Sequence, residues 1–178
     1  MSTKPDFVHL HLHTEFSLLD GASSLDELVS EGARMGMRAM AITDHGNMFG
    51  AVAFHDACRE KGLKPILGCE VYVATGSRFE RQAASASEAY NHFTLLATND
   101  AGYHNLVKLV SAGYLEGFYH RPRVDKELLA KHSEGLVGLS AASRARSRST
   151  SWPGPRARRS RAWARSPRSW ARTASTWR

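Results

Sequence analysis

The sequence predicts an α/β fold, a sheet whose strands are separated by helices. Two observations carry this. Segments with a two-residue apolar period alternate with segments of helical period from residue 7 to residue 139. Histidines and carboxylates also gather where the strand-like segments end, which is where α/β sheets and barrels collect their chemistry. Such alternation favours parallel pairing with right-handed crossovers, in an open sheet or a barrel.

Residues 7–13 alternate strictly, with Phe7, His9, His11 and His13 on one face and Val8, Leu10 and Leu12 on the other. Ser24 and Glu27 have capping-box spacing and open a helix whose stripe is Leu25, Leu28, Val29 and Ala33, stopped near Gly36. Residues 39–43 are a short apolar strand, and residues 49–60 a helix ending at Gly62. Residues 66–74 are rich in strand formers, and residues 75–88 are Ser/Ala-rich and polar, expected to be a mobile loop. A strand at 92–97 and a helix at 103–115 follow, the latter with Leu106, Val107, Val110 and Tyr114 on one side. Asp125 caps a short helix carrying Leu128 and Leu129, and 136–139 is a last strand.

Composition divides the chain. Of 178 residues, 24 are Lys or Arg and 17 Asp or Glu, a formal charge of +7. Residues 143–178 hold 11 Arg and no acidic residue, so residues 1–142 are mildly acidic, with 13 basic against 17 acidic side chains. All nine His lie in the first segment and all four Trp in the second. The chain is therefore not a uniformly basic nucleic-acid binder. The tail has no Leu, Ile or Val and cannot build a core. Its residue types share GC-rich codons, and it reads as out-of-frame translation. The competing reading is a segment that binds nucleic acid through phosphate contacts and stacking. No apolar run reaches the ~18 residues that span a bilayer, and the N-terminal residues do not form a signal peptide. Cys58 and Cys69 are too few for a disulfide framework and read as small buried hydrophobes. A cytoplasmic protein without a membrane partner is expected.

The polar residues at the strand ends are His11 and His13, Asp20 in the next loop, Asp44 and His45, Glu70 and His92. Each has an ordinary alternative. A single His in a strand is usually a surface or core residue, and Asp44-His45-Gly46-Asn47 equally serves as a strand-to-helix turn. Glu70 is harder to dismiss, because a carboxylate inside Gly-Cys-Glu-Val-Tyr-Val is costly unless paired or metal-bound. Imidazole and carboxylate ligands suit Zn, Mn or Fe rather than a thiolate-type structural zinc. Clustered ions activate a water and clamp both oxygens of a phosphoryl displacement. His55, His104, His120 and His132 fall on helices or loops and read as solvated.

His9-Leu-His-Leu-His13-Thr14 resembles the first motif of the polymerase-and-histidinol-phosphatase (PHP) superfamily, and Ala41-Ile-Thr-Asp-His45-Gly resembles its second. Longer strings are similar to the branch of it fused to bacterial replicative DNA polymerases. They are the run from Phe7 to Gly21, the run from Ala41 to Gly50, Lys64-Pro-Ile-Leu-Gly-Cys-Glu-Val-Tyr-Val73 and Tyr114-Leu-Glu-Gly-Phe-Tyr119. The resemblance implies a distorted seven-stranded β/α barrel, of which residues 1–142 would be the first half, and up to three divalent ions, Zn or Mn with Fe as the remaining candidate. It matches His11, His13, Asp20, His45, Glu70 and His92 to metal-ligand positions, but not His9. It implies metal-dependent phosphoester hydrolysis, as a 3′–5′ exonuclease in some relatives, with DNA and other replicase subunits as partners of the parent polymerase. The family's later ligand segments and the nucleotidyltransferase core have no counterpart here, so DNA synthesis is not expected, and the partial site is expected to be weak. Arg121 and Arg123, in Tyr119-His-Arg-Pro-Arg, are candidates to meet backbone phosphates. The alternatives are a stand-alone phosphatase of the histidinol-phosphatase kind and non-enzymatic nucleic-acid binding through the basic tail.

Overall fold

The computed structural model describes residues 7–18, 20–82 and 89–140. The predicted tail at 143–178 and residues 83–88 of the predicted 75–88 loop lie outside the described residues. The described chain is mixed α/β, in the order α1 (Leu25–Arg34), β1 (Ala39–Ile42), α2 (Ala51–Glu60), β2 (Lys64–Ala74), β3 (Tyr90–Ala97), α3 (Asp100–Leu115), β4 (Phe118–Tyr119), β5 (Arg121–Val124), α4 (Lys126–Lys131) and β6 (Leu136–Ser140).

β2 is the spine of the sheet. β1 pairs with its first residues in parallel, from Ala39 opposite Lys64 to Ile42 opposite Leu67. β5 pairs with its last residues in parallel, at Tyr72 and Val73. Along its other edge runs β3, antiparallel, from Gly68 opposite Leu96 to Ala74 opposite Tyr90. β6 is antiparallel to β3 in turn. The all-parallel expectation is thus corrected at β3. Period-two patterning reports burial and not strand direction, and the connection from Ala74 to Tyr90 returns the chain beside the strand it has just left.

The first predicted strand is also modified. Residues 7–13 lie along β1 without forming a regular ladder. Ala41 N–H donates to His9 O at 2.8 Å, but Thr43 N–H donates to Leu12 O at 2.9 Å. Two residues of β1 therefore span three of the partner, a bulge-like offset that bends the segment at its histidines. The Leu12 amide is taken up by Thr43 Oγ1 at 2.8 Å.

Both helix stops at glycine are seen, with Gly36 at φ 76° and Gly62 at φ 74°. Asp125 caps α4 by accepting from Leu128 N–H. The capping box at Ser24 does not form. The Leu25 amide donates instead to Glu15 Oε1 at 3.1 Å, so a loop carboxylate replaces the predicted cap. α3 begins three residues earlier than its apolar stripe suggests, because Asn99 caps it through Gly102 N–H.

Two apolar clusters flank the sheet. Cys69, Val71 and Val73 of β2 pack with Leu95, Leu106, Leu109, Val124, Leu128, Leu129 and Leu136. Leu25, Val29, Met40, Ile42, Phe54, Cys58 and Leu63 form the second, against which Leu12 and Phe16 pack. Cys58 and Cys69 are fully buried hydrophobes, as expected. Glu70 and Tyr72 alternate with the first set and project from the opposite face of β2. Among the described residues, no helix is long and apolar enough to cross a membrane.

Candidate metal centre

Glu70 is 4% exposed in the middle of β2. It stands beside the end of β1, where His45 forms an isolated parallel bridge to it. Glu70 N–H donates to Asp44 O, and Gly46 N–H donates to Glu70 O at 2.9 Å. This bridge requires the turn at Gly46, whose φ is 65° and whose missing Cβ would stand 2.8 Å from the Tyr72 ring.

Imidazoles converge on the Glu70 carboxylate from three elements. His11 Nε2 meets Oε2, and His13 Nε2 lies 2.9 Å from the same oxygen. His92 Nδ1 lies 2.6 Å from Oε1. His45 Nδ1 is 3.9 Å from Oε1, and its Nε2 is 2.9 Å from Asp20 Oδ2. Asp20 Oδ1 is also 3.9 Å from His13 Nδ1. The structure thus brings together His11, His13, Asp20, His45, Glu70 and His92. They form three groupings whose donor atoms lie within 4.8 Å of one another: His11, His13 and Glu70; His13, Asp20 and His45; His45, Glu70 and His92. Each grouping shares one residue with each of the others.

Burial pushes the Glu70 carboxyl up. The hydrogen bonds from His13, His92 and His11 and the charge of His45 outweigh this and hold it well below the usual carboxylate range. His13 is raised, first by its hydrogen bond to Glu70 and against its own burial. Burial lowers His45, with His13 and His92 adding to that effect and Glu70 and Asp20 opposing it, which favours the neutral imidazole a cation needs.

The donor set fits a divalent cation, being imidazole nitrogen and carboxylate oxygen throughout. His11 and His13 Nε2 stand 3.0 Å apart beside one carboxylate oxygen, so three atoms able to ligate a cation are already gathered. His45 Nδ1 is buried without a hydrogen-bond partner while aimed toward Glu70, an orphan that costs free energy unless something binds it.

An aromatic wall that sequence reasoning missed closes one side. Tyr72 stacks on His45 with centroids 5.9 Å apart and sets its edge against His92 at 5.0 Å and Tyr90 at 4.8 Å. Burial pushes its hydroxyl up to about 12, so it stays protonated. The signal was its place two residues after Glu70, on the same strand face.

The two arginines separate. Arg121 lies over the Tyr72 ring at 5.8 Å, on the rim of the centre. Arg123 is 3% exposed, and its guanidinium donates to the carbonyls of Gly117 (3.1 Å), Arg78 (2.9 Å) and Glu80 (2.7 Å). Its expected phosphate role is corrected here, since alternation along β5 turns it inward and these carbonyls take up its donors. The described part of the 75–88 loop is tied down as well. Arg78 bonds Glu116 at 2.7 Å and Asp125 at 3.0 Å.

The PHP domain family matches residues 9–164. A DNA polymerase III subunit alpha from Treponema pallidum is 54% identical over 135 residues, 76% of this chain and 12% of that protein. The corresponding subunit of Aquifex aeolicus is 50% identical over 141 residues, again 76% of this chain and 12% of its own length. The chain therefore spans about 12% of the length of the curated relatives it matches. Among solved structures, an amidohydrolase from Chromobacterium violaceum is similar over 59% of this chain and 32% of its own, at 23% identity and a TM-score of 0.43.

Proposed function

The chain belongs to the PHP domain family, and on that footing we propose that the cluster around Glu70 is a divalent-metal site for phosphoester hydrolysis. Its setting is the N-terminal part of a cytoplasmic, bacterial replicative polymerase alpha subunit, with a DNA 3′ end as substrate for 3′–5′ excision. One observation carries the reading: four imidazoles converge on a buried glutamate, and a second carboxylate, Asp20, joins two of them. His11, His13, His45, His92, Asp20 and Glu70 would hold the ions, with Zn or Mn the best fits to these ligands. Bound ions supply an activated water and stabilise the leaving oxygen. Tyr72 keeps His45 and His92 oriented by ring contact, and Arg121, which lies over the Tyr72 ring, would meet a phosphate of the incoming strand.

The test is equilibrium metal binding by the 178-residue chain, with release of the 3′-terminal nucleotide from a mismatched primer as a second readout. Bound zinc or manganese is expected, lost on replacing His11 and His13 together by Ala, and any DNA hydrolysis should vanish with it. A folded chain that binds neither ion refutes the reading.

The domain boundary belongs to the same proposal. Residues 1–142 are read as family sequence and 143–178 as out-of-frame, although the family match crosses that boundary to residue 164. Translating the coding DNA in its other two frames beyond codon 142 decides. Resumed family sequence supports the shift, and its absence makes the tail the protein's own.

A further inference from the structure

One buried carboxylate beside the centre holds no place in any of the three groupings. Asp44 is 1% exposed, and burying an anion costs several kcal/mol unless hydrogen bonds offset it. Three donors do so. Asp44 Oδ1 accepts from Thr14 N–H at 2.6 Å and from the Ser17 hydroxyl at 2.9 Å, and Oδ2 accepts from the Thr14 hydroxyl at 2.8 Å. Thr14 and Ser17 are themselves buried.

These contacts fold a turn whose two ends are site residues. It starts from His13 and finishes at Asp20. Inside it, Ser17 N–H donates to Thr14 O at 2.8 Å, and Asp20 N–H and Gly21 N–H donate to Ser17 O at 3.0 and 2.7 Å. Gly21 packs against the Thr14 carbonyl with no room for a Cβ. The third member is tied to the same turn, because the Ser17 hydroxyl accepts from His45 N–H at 3.1 Å while donating to Asp44. Every member of the His13–Asp20–His45 grouping is thus fixed by a covalent or hydrogen-bonded step leading to Asp44.

We propose that Asp44 is the positioning residue of the His13–Asp20–His45 grouping, acting through Thr14 and Ser17 and not as a ligand. The inference rests on the metal-site reading above and adds to it a division of labour: the His45–Glu70–His92 grouping takes Glu70 from β2 and His92 from β3 and shares only His45 with its neighbour, which depends in all its members on a turn held from thirty residues away. Without Asp44, the Thr14 amide and both hydroxyls lose their acceptor, and the Ser17 carbonyl that holds the Asp20 amide is no longer fixed through the Ser17 hydroxyl.

The experiment compares zinc binding by the full chain as wild type, Asp44→Asn, Ser17→Ala, Thr14→Val and Thr14→Ser, using a competing chelator, with circular dichroism recording the fold of each metal-free variant. Partners that orient ligands typically change metal affinity about 10–100-fold. That loss is expected for Asp44→Asn, greatest for the zinc of the His13–Asp20–His45 grouping and smaller for the groupings that contain Glu70, each of which shares only one residue with it. Ser17→Ala and Thr14→Val should show the same partial loss, and Thr14→Ser should restore wild-type binding. Folded Asp44→Asn with unchanged stoichiometry and affinity overturns the inference and leaves the metal-site reading standing. If Asp44→Asn does not fold, Ser17→Ala decides by the same criterion. Wild type that binds no zinc removes both readings together.

Discussion

Replacing Glu70 by Gln keeps the side chain's volume and removes its charge. Glu70 belongs to two of the three groupings, so the substitution leaves one with its full ligand set. Partners that only orient metal ligands cost about 10–100-fold in affinity, and a residue in direct contact should reach at least the upper end. With zinc held at about 100 times its dissociation constant, wild type gains about 2.7 kcal/mol from binding. In a chain of this size each kcal/mol moves Tm by about 2–4 °C, so zinc should raise the midpoint by about 5–10 °C over the chelated protein. At the two groupings that contain Glu70, with the affinity 100-fold weaker, the same zinc sits at the dissociation constant and adds about 0.4 kcal/mol, about 1 °C, so any larger residual shift belongs to the His13–Asp20–His45 grouping. The chelated baseline carries no such signal. Loss of the charge-assisted bonds from His11, His13 and His92 destabilises, at about 1.5–3 kcal/mol each, while relief of a buried charge acts the other way. Differential scanning fluorimetry with and without chelator reads the difference directly. A zinc-induced shift in the Gln variant equal to wild type refutes the central role of Glu70.

Arg121→Ala should leave stability within about 1 kcal/mol, the scale of an exposed cation–π contact, and weaken phosphate-dependent DNA binding. Arg123→Ala should instead remove a buried guanidinium and its bonds to the carbonyls of Gly117, Arg78 and Glu80, a loss of about 1.5–3 kcal/mol that lowers the urea midpoint, and the reverse pattern would invalidate the assignment of the two arginines. Gly46→Ala forces a side chain into the left-handed region and a methyl against Tyr72 and Pro122, a combined cost of at least about 2 kcal/mol by urea denaturation, and a neutral result would contradict the turn geometry. Burial pushes the Asp125 carboxyl up, but bonds from the Arg78 and Leu128 amides and the Arg78 guanidinium outweigh it and hold the group below its ordinary value. Its folded pKa is therefore lower than its unfolded one of about 3.9, so its contribution is fully present above that pH and fades as pH falls through the folded value. Urea midpoints taken down the acid limb should fall less steeply in Asp125→Asn than in wild type, and identical slopes would count against the linkage.

What was legible in the sequence follows from the range of each signal. Helix ends at Gly36 and Gly62 and the cap at Asp125 are local, decided by residues within one turn. Burial of Cys58 and Cys69 follows from their apolar strand or helix context. Strand direction is not local, and β3 could be placed antiparallel only by knowing where the chain goes after Ala74. The two-residue β4 is too short to show a period, and it turns into β5 through His120 at φ 61°. Ser24 looked like a cap because its competitor, Glu15, is nine residues upstream. The candidate site divides the same way. Glu70 stood out because a carboxylate inside an apolar run is anomalous by itself, whereas Asp44 sits beside a histidine at a strand end and looks like a turn residue. Its partners are 27 and 30 residues away, beyond any spacing rule.

The geometry explains why one strand holds both the core and the centre. Odd-numbered residues of β2 face α3 and α4 as Cys69, Val71 and Val73, while Glu70 and Tyr72 face the histidines. A slip of one residue in the β2–β3 register would send Glu70 into the apolar cluster and Val71 toward four imidazoles. Both outcomes are costly, the first through an unpaired buried charge and the second through lost burial, so packing of the core and assembly of the centre select the same register. The segment at residues 9–13 adds two of the imidazoles from the other side. Alternation sets His11 and His13 on one face with backbones about two residues, or ~7 Å, apart, and their side chains close that distance, bringing the Nε2 atoms 3.0 Å apart on a shared oxygen. Leu12, which alternates with these two histidines, and Phe16 pack against the second cluster, so the same alternation that anchors the segment to the core turns its imidazoles toward Glu70.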